Sequence, residues 1–253
     1  MEVHSLNLDW LIEAYTRETK NKEKNIPYSF DGLYYLSSDG EIIEAAAETL
    51  NALNRTKRDI YDALGLIREY SEKSHLLERA SYLASATCKT LETLTQTKRH
   101  VPSAVALIRA YHINSSGEEW ARTLAEATCQ TLATLDMTNS LLHDGIALIE
   151  AYSKNSNSGK SAFGLNQVTC QTLEYLSQNG LDLGLFLERI RAVRNDLTVE
   201  RTNEHNHRKQ EIRGQYSGPQ RWVKLLKEKG DFNEHNPFHL SVQDLYDKLV
   251  GRN

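Results

Sequence analysis

The residues best able to carry chemistry in this chain fall into two sets. The first is its three cysteines, Cys88, Cys129 and Cys170, which stand 41 residues apart in the near-identical stretches ATCKTLETL, ATCQTLATL and VTCQTLEYL. Recurring thiols suit three chemistries: metal ligation, disulfide pairing and nucleophilic attack. Zinc needs three or four ligands converging on one point, and ligands within a segment usually follow C-x2-C spacing. Equivalent positions on packed neighbouring helices lie roughly 10 Å apart, beyond the roughly 7 Å between Cα atoms that a disulfide tolerates. A fourth, upstream copy, AAAETLNAL, carries Ala47 in the cysteine slot. The thiols are therefore expected to act as small, soft apolar groups at a tight helix contact.

The second set lies near the C-terminus. The tetrapeptide NEHN occurs at 203–206 and 233–236, and each copy is followed by a further histidine. His205, His207, His235 and His239, with Asp231 nearby, have the composition of a metal or acid–base site. Against this, two histidines in H-x-H on a helix splay about 200° apart, so a solvated polar face is the expected role. Arg201 with His207 resembles the R-x4–6-H element of HEPN-type ribonucleases, a resemblance of two residues that implies an RNA-cleaving role for that pair; the alternative catalytic set is Arg201 and His207 with the neighbouring His205. Residues 194–229 carry nine basic and five acidic side chains, net +4, whereas the first 193 residues are net −6. Such polarity can mark a phosphate-facing end, with Arg208, Lys209, Arg213, Arg221 and Lys224 as its nucleic-acid contacts. No P-loop, G-x-G-x-x-G, G-x-S-x-G or H-E-x-x-H is present, and no cofactor is expected.

The elements that must position these residues follow from one period. Thr-Leu recurs at Thr90-Leu91, Thr131-Leu132 and Thr172-Leu173, and a second marker, LIREY, LIRAY and LIEAY, ends at Tyr70, Tyr111 and Tyr152. Both markers step by 41 residues, and two markers holding one period indicate a repeat architecture. In the third copy Ala104, Leu107, Ile108 and Tyr111 follow i, i+3, i+4, i+7, the spacing of an amphipathic helix. The turn formers INSSG follow, and a second helix is expected over roughly Glu118–Leu135. The first copy has its tyrosine at Tyr15, leaving 14 additional residues between its markers. With hairpins of this period the chain resembles an αα-hairpin repeat protein of the broad HEAT/armadillo class. That resemblance implies an all-α, right-handed α-solenoid of about four repeats, 5–55, 56–98, 99–139 and 140–180, with a fifth first-helix at 181–193. Residues 194–253 are expected to form a divergent, polar to basic, helical C-terminal region.

A stacked-hairpin chain offers extended surface rather than an enclosed pocket, and its default role is binding another macromolecule. The expected function is a non-enzymatic protein–protein interaction module, an adaptor, scaffold or effector that binds a partner protein; a nucleic-acid-binding or RNA-cleaving protein is the alternative. The expected partner surface is the tyrosine row Tyr70, Tyr111 and Tyr152 together with the aromatic insertion Tyr28, Phe30, Tyr34 and Tyr35. Thr87, Thr128 and Thr169 are expected to bond the carbonyl one helical turn back. The first residues, MEVHSLNLDWLIEAY, show no basic stretch leading an apolar one, and no run of about 18 apolar residues occurs. With three cysteines only, a reducing, cytoplasmic location is expected.

Overall fold

A computed structural model describes residues 2–23, 37–75, 79–115, 119–154 and 161–188. Among them all regular structure is helical: α1 (Glu2–Glu23), α2 (Asp39–Thr56), α3 (Ile60–Lys73), α4 (Ala80–Gln96), α5 (Val101–Asn114), α6 (Ala121–Met137), α7 (Leu142–Lys154) and α8 (Ala162–Gln178). Residues 183–188 are helical as well. The chain divides into two compact units, with the boundary inside α6. The first holds α1 to α5 and α6 through Ala133; the second holds the end of α6, α7 and α8. In the first unit consecutive helices pack on their neighbours, α1 against α2 and α3, α2 against α4, and α3 against α4; in the second, α7 packs on α8. Among the described residues no helix is long and apolar enough to cross a membrane.

The helices begin and end where local chemistry dictates. Ser38, Asp59 and Ser161 occupy N-cap positions and accept hydrogen bonds from the backbone N–H of Glu41, Tyr61 and Gly164 at 3.1, 2.8 and 3.1 Å. Pro102 is the second residue of α5, where its missing N–H costs no helical bond. The turns that close α2, α4, α6 and α8 share one geometry. Lys57, Lys98, Asn139 and Gly180 have φ of 53°, 51°, 53° and 62°, each 41 residues after the last. The N–H of the following residue reaches back five positions in every copy: Arg58 to Leu53, Arg99 to Leu94, Ser140 to Leu135 and Leu181 to Leu176. This is a left-handed helix C-cap, and it recurs although only one of the four residues is glycine.

In the first copy helix α1 runs beyond Tyr15 to Glu23, taking up the charged start of the insertion, TRETKNKE. That stretch contains no glycine or proline and is rich in straight-chain residues that lose little freedom in a helix.

Inside each pair of helices one polar contact recurs. The hydroxyls of Tyr15, Tyr70, Tyr111 and Tyr152 meet Oγ1 of Thr49, Thr90, Thr131 and Thr172 at 2.7, 2.6, 2.6 and 2.6 Å. Each threonine spends its only proton on the carbonyl four residues earlier, of Ala45, Ala86, Ala127 and Val168. The tyrosine must therefore be the donor. Sequence separation between partners is 34 in the first pair and 20 in the other three. The 14-residue insertion thus lies wholly between two bonded groups and leaves the bond intact.

Tyr70→Phe should lower stability by about 1 kcal/mol, the net worth of a hydrogen bond. Thr90→Val should cost more, about 1–3 kcal/mol, because it strands a buried phenol without an acceptor. Chemical denaturation followed by circular dichroism checks the order; equal effects would contradict the donor assignment.

Candidate functional site

The recurring cysteines are placed by the helices that carry the threonines. Cys88, Cys129 and Cys170 are free thiols buried to 6%, 5% and 3% exposure. Cys88 Sγ lies 3.8 Å from Thr49 Oγ1 and Cys129 Sγ 3.6 Å from Thr90 Oγ1, so each thiol on α4 and α6 faces the preceding second helix. Cys170 accepts a bond from Asn166 Nδ2 at 3.2 Å, one turn back on its own helix. Burial pushes the Cys88 thiol up to about 11 and raises that of Cys129 in the same direction. Among the described residues no group of three or more His, Cys, Asp or Glu could hold a metal ion. The thiols act as packing groups.

The tyrosine row is not a surface. Tyr70 and Tyr111 are completely buried and Tyr152 retains 9% exposure, so none of the three can be presented to a partner by the folded chain. Burial raises the Tyr70 phenol far above its ordinary value and pushes Tyr152 up to about 12. The hydroxyls reach a threonine rather than solvent, because the facing helix offers an acceptor at the right height. The threonine expectation also needs correcting. Thr87, Thr128 and Thr169 are fully buried, and among the described residues their hydroxyls have no hydrogen-bond partner. The bond to the carbonyl one turn back belongs to the threonine three residues further on, in all three copies. Thr87 does lie close enough to Tyr15 to favour its ionised form slightly, against a much larger effect of burial.

What reaches the surface instead is a different aromatic group. Trp120 immediately precedes α6, Tyr82 is the third residue of α4, and His75 follows the end of α3. His75 stacks on Trp120 with ring centroids 4.5 Å apart and planes 27° apart. Tyr82 meets Trp120 edge-on at 6.3 Å and 84°, the arrangement ring quadrupoles favour. The backbone N–H of His75 donates to the Glu119 carbonyl at 2.9 Å, which ties the segment after α3 to the segment before α6. Tyr82 and Trp120 keep 43% and 38% exposure. A second exposed pair, Trp10 and Tyr61, lies on α1 and α3 with centroids 6.0 Å apart. The 41-residue period held a signal for the first group. Counting from Ser38 through Arg79 to Ser161 places Trp120 in the slot before a second helix, where a polar cap is the rule.

Beside Tyr82, the start of α4 is capped from outside. Arg79 makes no side-chain cap bond. Ala80 N–H donates to Ser37 Oγ at 2.8 Å, and Ser81 donates its N–H and hydroxyl to Glu41 Oε1 at 3.3 and 2.6 Å. Arg79 Nη2 closes on Glu41 Oε2 at 2.7 Å. Burial works to raise the Glu41 pKa, but the bonds from Arg79 and Ser81 outweigh it and hold the carboxyl below its ordinary value.

The other candidate residues, Tyr28, Phe30, Tyr34, Tyr35, Arg201, His205, His207, Arg208, Lys209, Arg213, Arg221, Lys224, His235 and His239, lie outside the described residues. Comparison with family models, curated proteins and solved structures finds no match to this chain.

Two outcomes follow from this geometry. At pH 8 a thiol with a pKa near 11 is only about one-thousandth ionised, so Cys88 should resist a soluble disulfide reagent in the native protein and react on unfolding; rapid native labelling would contradict its burial. Because the Glu41 pKa is lowered by folding, its contribution is fully present above the unfolded value and fades as pH falls through the folded one. Glu41→Gln should therefore reduce stability at pH 7 and flatten the loss below about pH 4.5, as read from thermal melts across pH.

Proposed function

We propose that this chain is a non-enzymatic protein–protein interaction module, an adaptor or scaffold built as a right-handed α-solenoid of about four 41-residue hairpins. The observation that carries the reading is the His75–Tyr82–Trp120 cluster: large aromatic rings packed on one another beside a backbone bond, yet left partly open to solvent. Tryptophan and tyrosine dominate the energetics of protein interfaces, because they bury much area while losing little rotamer freedom. Rings already stacked in the free protein lose less still on binding. The aromatic insertion with Tyr28, Phe30, Tyr34 and Tyr35 is proposed as a further partner contact on sequence grounds. The recurring left-handed turns, spaced by one period through residue 180, support a repeat array. Three buried free thiols fit a reducing compartment such as the cytoplasm.

The test is proximity crosslinking with the intact chain, followed by quantitative binding of each recovered partner. Trp120→Ala should weaken a genuine partner by about tenfold or more, the scale of a hot-spot residue, and Tyr82→Ala by less, with the melting temperature little changed. Unaltered affinity in the double variant would remove this surface. Removal of residues 24–36, which spares α1, separates the contribution of the insertion.

A further inference from the structure

At the turns joining α2 to α3 and α4 to α5, the first unit holds an open polar cleft of about 360 Å³. Its lining includes two copies of one tripeptide, Thr56-Lys57-Arg58 and Thr97-Lys98-Arg99, of which all but Thr97 face the cleft, together with Asp59, Asp62 and His100. Arg58 builds the floor. It donates to Asp62 Oδ2 at 3.2 Å, to Thr95 Oγ1 at 2.8 Å and to the Arg99 carbonyl at 2.8 Å, fastening one turn to the next. The carboxylates are thereby committed, Asp62 to Arg58 and Asp59 to the Tyr61 N–H. Lys57, Lys98 and His100 are exposed, and among the described residues their side chains have no hydrogen bond or ion pair. Four cationic side chains, Lys57, Arg58, Lys98 and Arg99, therefore stand against two carboxylates, Asp59 and Asp62, and the cleft is net positive.

The two lysines are also strained. Each sits at φ near +50°, where a side chain is crowded and glycine or asparagine is the ordinary occupant. The same slot one period further on holds Asn139, and then Gly180, so the chain itself uses the unstrained residues at the turns that do not line this cleft. The field of a helix C-terminus favours a cation, but a lysine one residue earlier would enjoy it without that strain. A strained residue retained at a cleft is a reason to look for function there.

We propose that this cleft binds a phosphate monoester. The two lysine ammoniums match the two charges of the dianion, His100 adds a ring N–H donor, and Arg58 keeps the two turns at fixed spacing so that little order is lost on binding. The group can be carried by a small molecule or by a phosphorylated side chain. The cleft is too short to track a nucleic-acid strand, which needs an extended basic groove with stacking platforms. This inference does not rest on the aromatic surface and survives its failure.

The full chain, isotope-labelled, is titrated at constant ionic strength with inorganic phosphate, with a phosphoserine hexapeptide, with the unphosphorylated hexapeptide and with an oligoribonucleotide of mixed sequence. Amides of residues 56–59 and 97–100 should shift saturably with both phosphate probes and not with the plain peptide. Tighter binding of the phosphopeptide assigns the group to a protein partner; equal binding assigns it to a small molecule. In Lys57→Gly/Lys98→Gly the affinity should fall by about tenfold, while the melting temperature holds or rises because glycine suits the left-handed turn. Shifts that never saturate, undiminished affinity in the glycine variant, or saturation only by an oligoribonucleotide would overturn the proposal.

Discussion

Each pair of helices is keyed by one buried threonine hydroxyl. Thr49 and Thr90 show the full pattern. The proton goes to a carbonyl in the same helix, one lone pair takes the tyrosine hydroxyl of the partner helix, and the other faces a cysteine on the next second helix. A hydroxyl has one proton and two acceptor sites, so this environment saturates it. A saturated buried group is also a register device, since sliding either helix by one residue would strand a phenol and a threonine away from water. Apolar packing around it, from Leu66, Ile67, Leu91, Leu107 and Ile108, all fully buried, supplies the bulk of the stabilisation but is far less particular about register.

With register held in this way, charged residues join successive hairpins of the first unit at their rims. Arg109 grips both carboxylate oxygens of Glu69 at 2.7 Å, and Glu69 is only 5% exposed. Fork-to-carboxylate geometry is the stronger kind of ion pair, and neither lysine nor a shorter acid would reproduce it. Glu41 serves the neighbouring helix rather than its own, satisfying N–H groups that α4 cannot cap with Arg79.

How legible all this was can be judged residue by residue. The helical class, the positions of most helices and the packing role of the cysteines were readable, because a 3.6-residue apolar stripe and a 41-residue period survive in the chain as spacing. The threonines show where such reading stops. Thr87 and Thr90 share one helix and one chemical type, yet only Thr90 finds both a carbonyl and a phenol. The difference lies in which residue faces the tyrosine of the other helix, and no spacing along a single helix records that. The tyrosines misled for a related reason: an amphipathic residue at the end of an apolar stripe reads equally well as rim or core.

By itself, then, the sequence determined the helices, their period and their apolar faces, since these depend on local propensity and on burial patterns that any core would select. Only the tertiary structure decided which polar atoms are consumed inside and which side chains are left over outside. That outcome depends on contacts between residues 20 to 41 apart, such as Tyr70 with Thr90 and Arg58 with the Arg99 carbonyl. Two lysines 41 residues apart line one cleft whose turns Arg58 joins, and Trp120, Tyr82 and His75 from separate elements form one cluster, with the His75 N–H bonded to the Glu119 carbonyl.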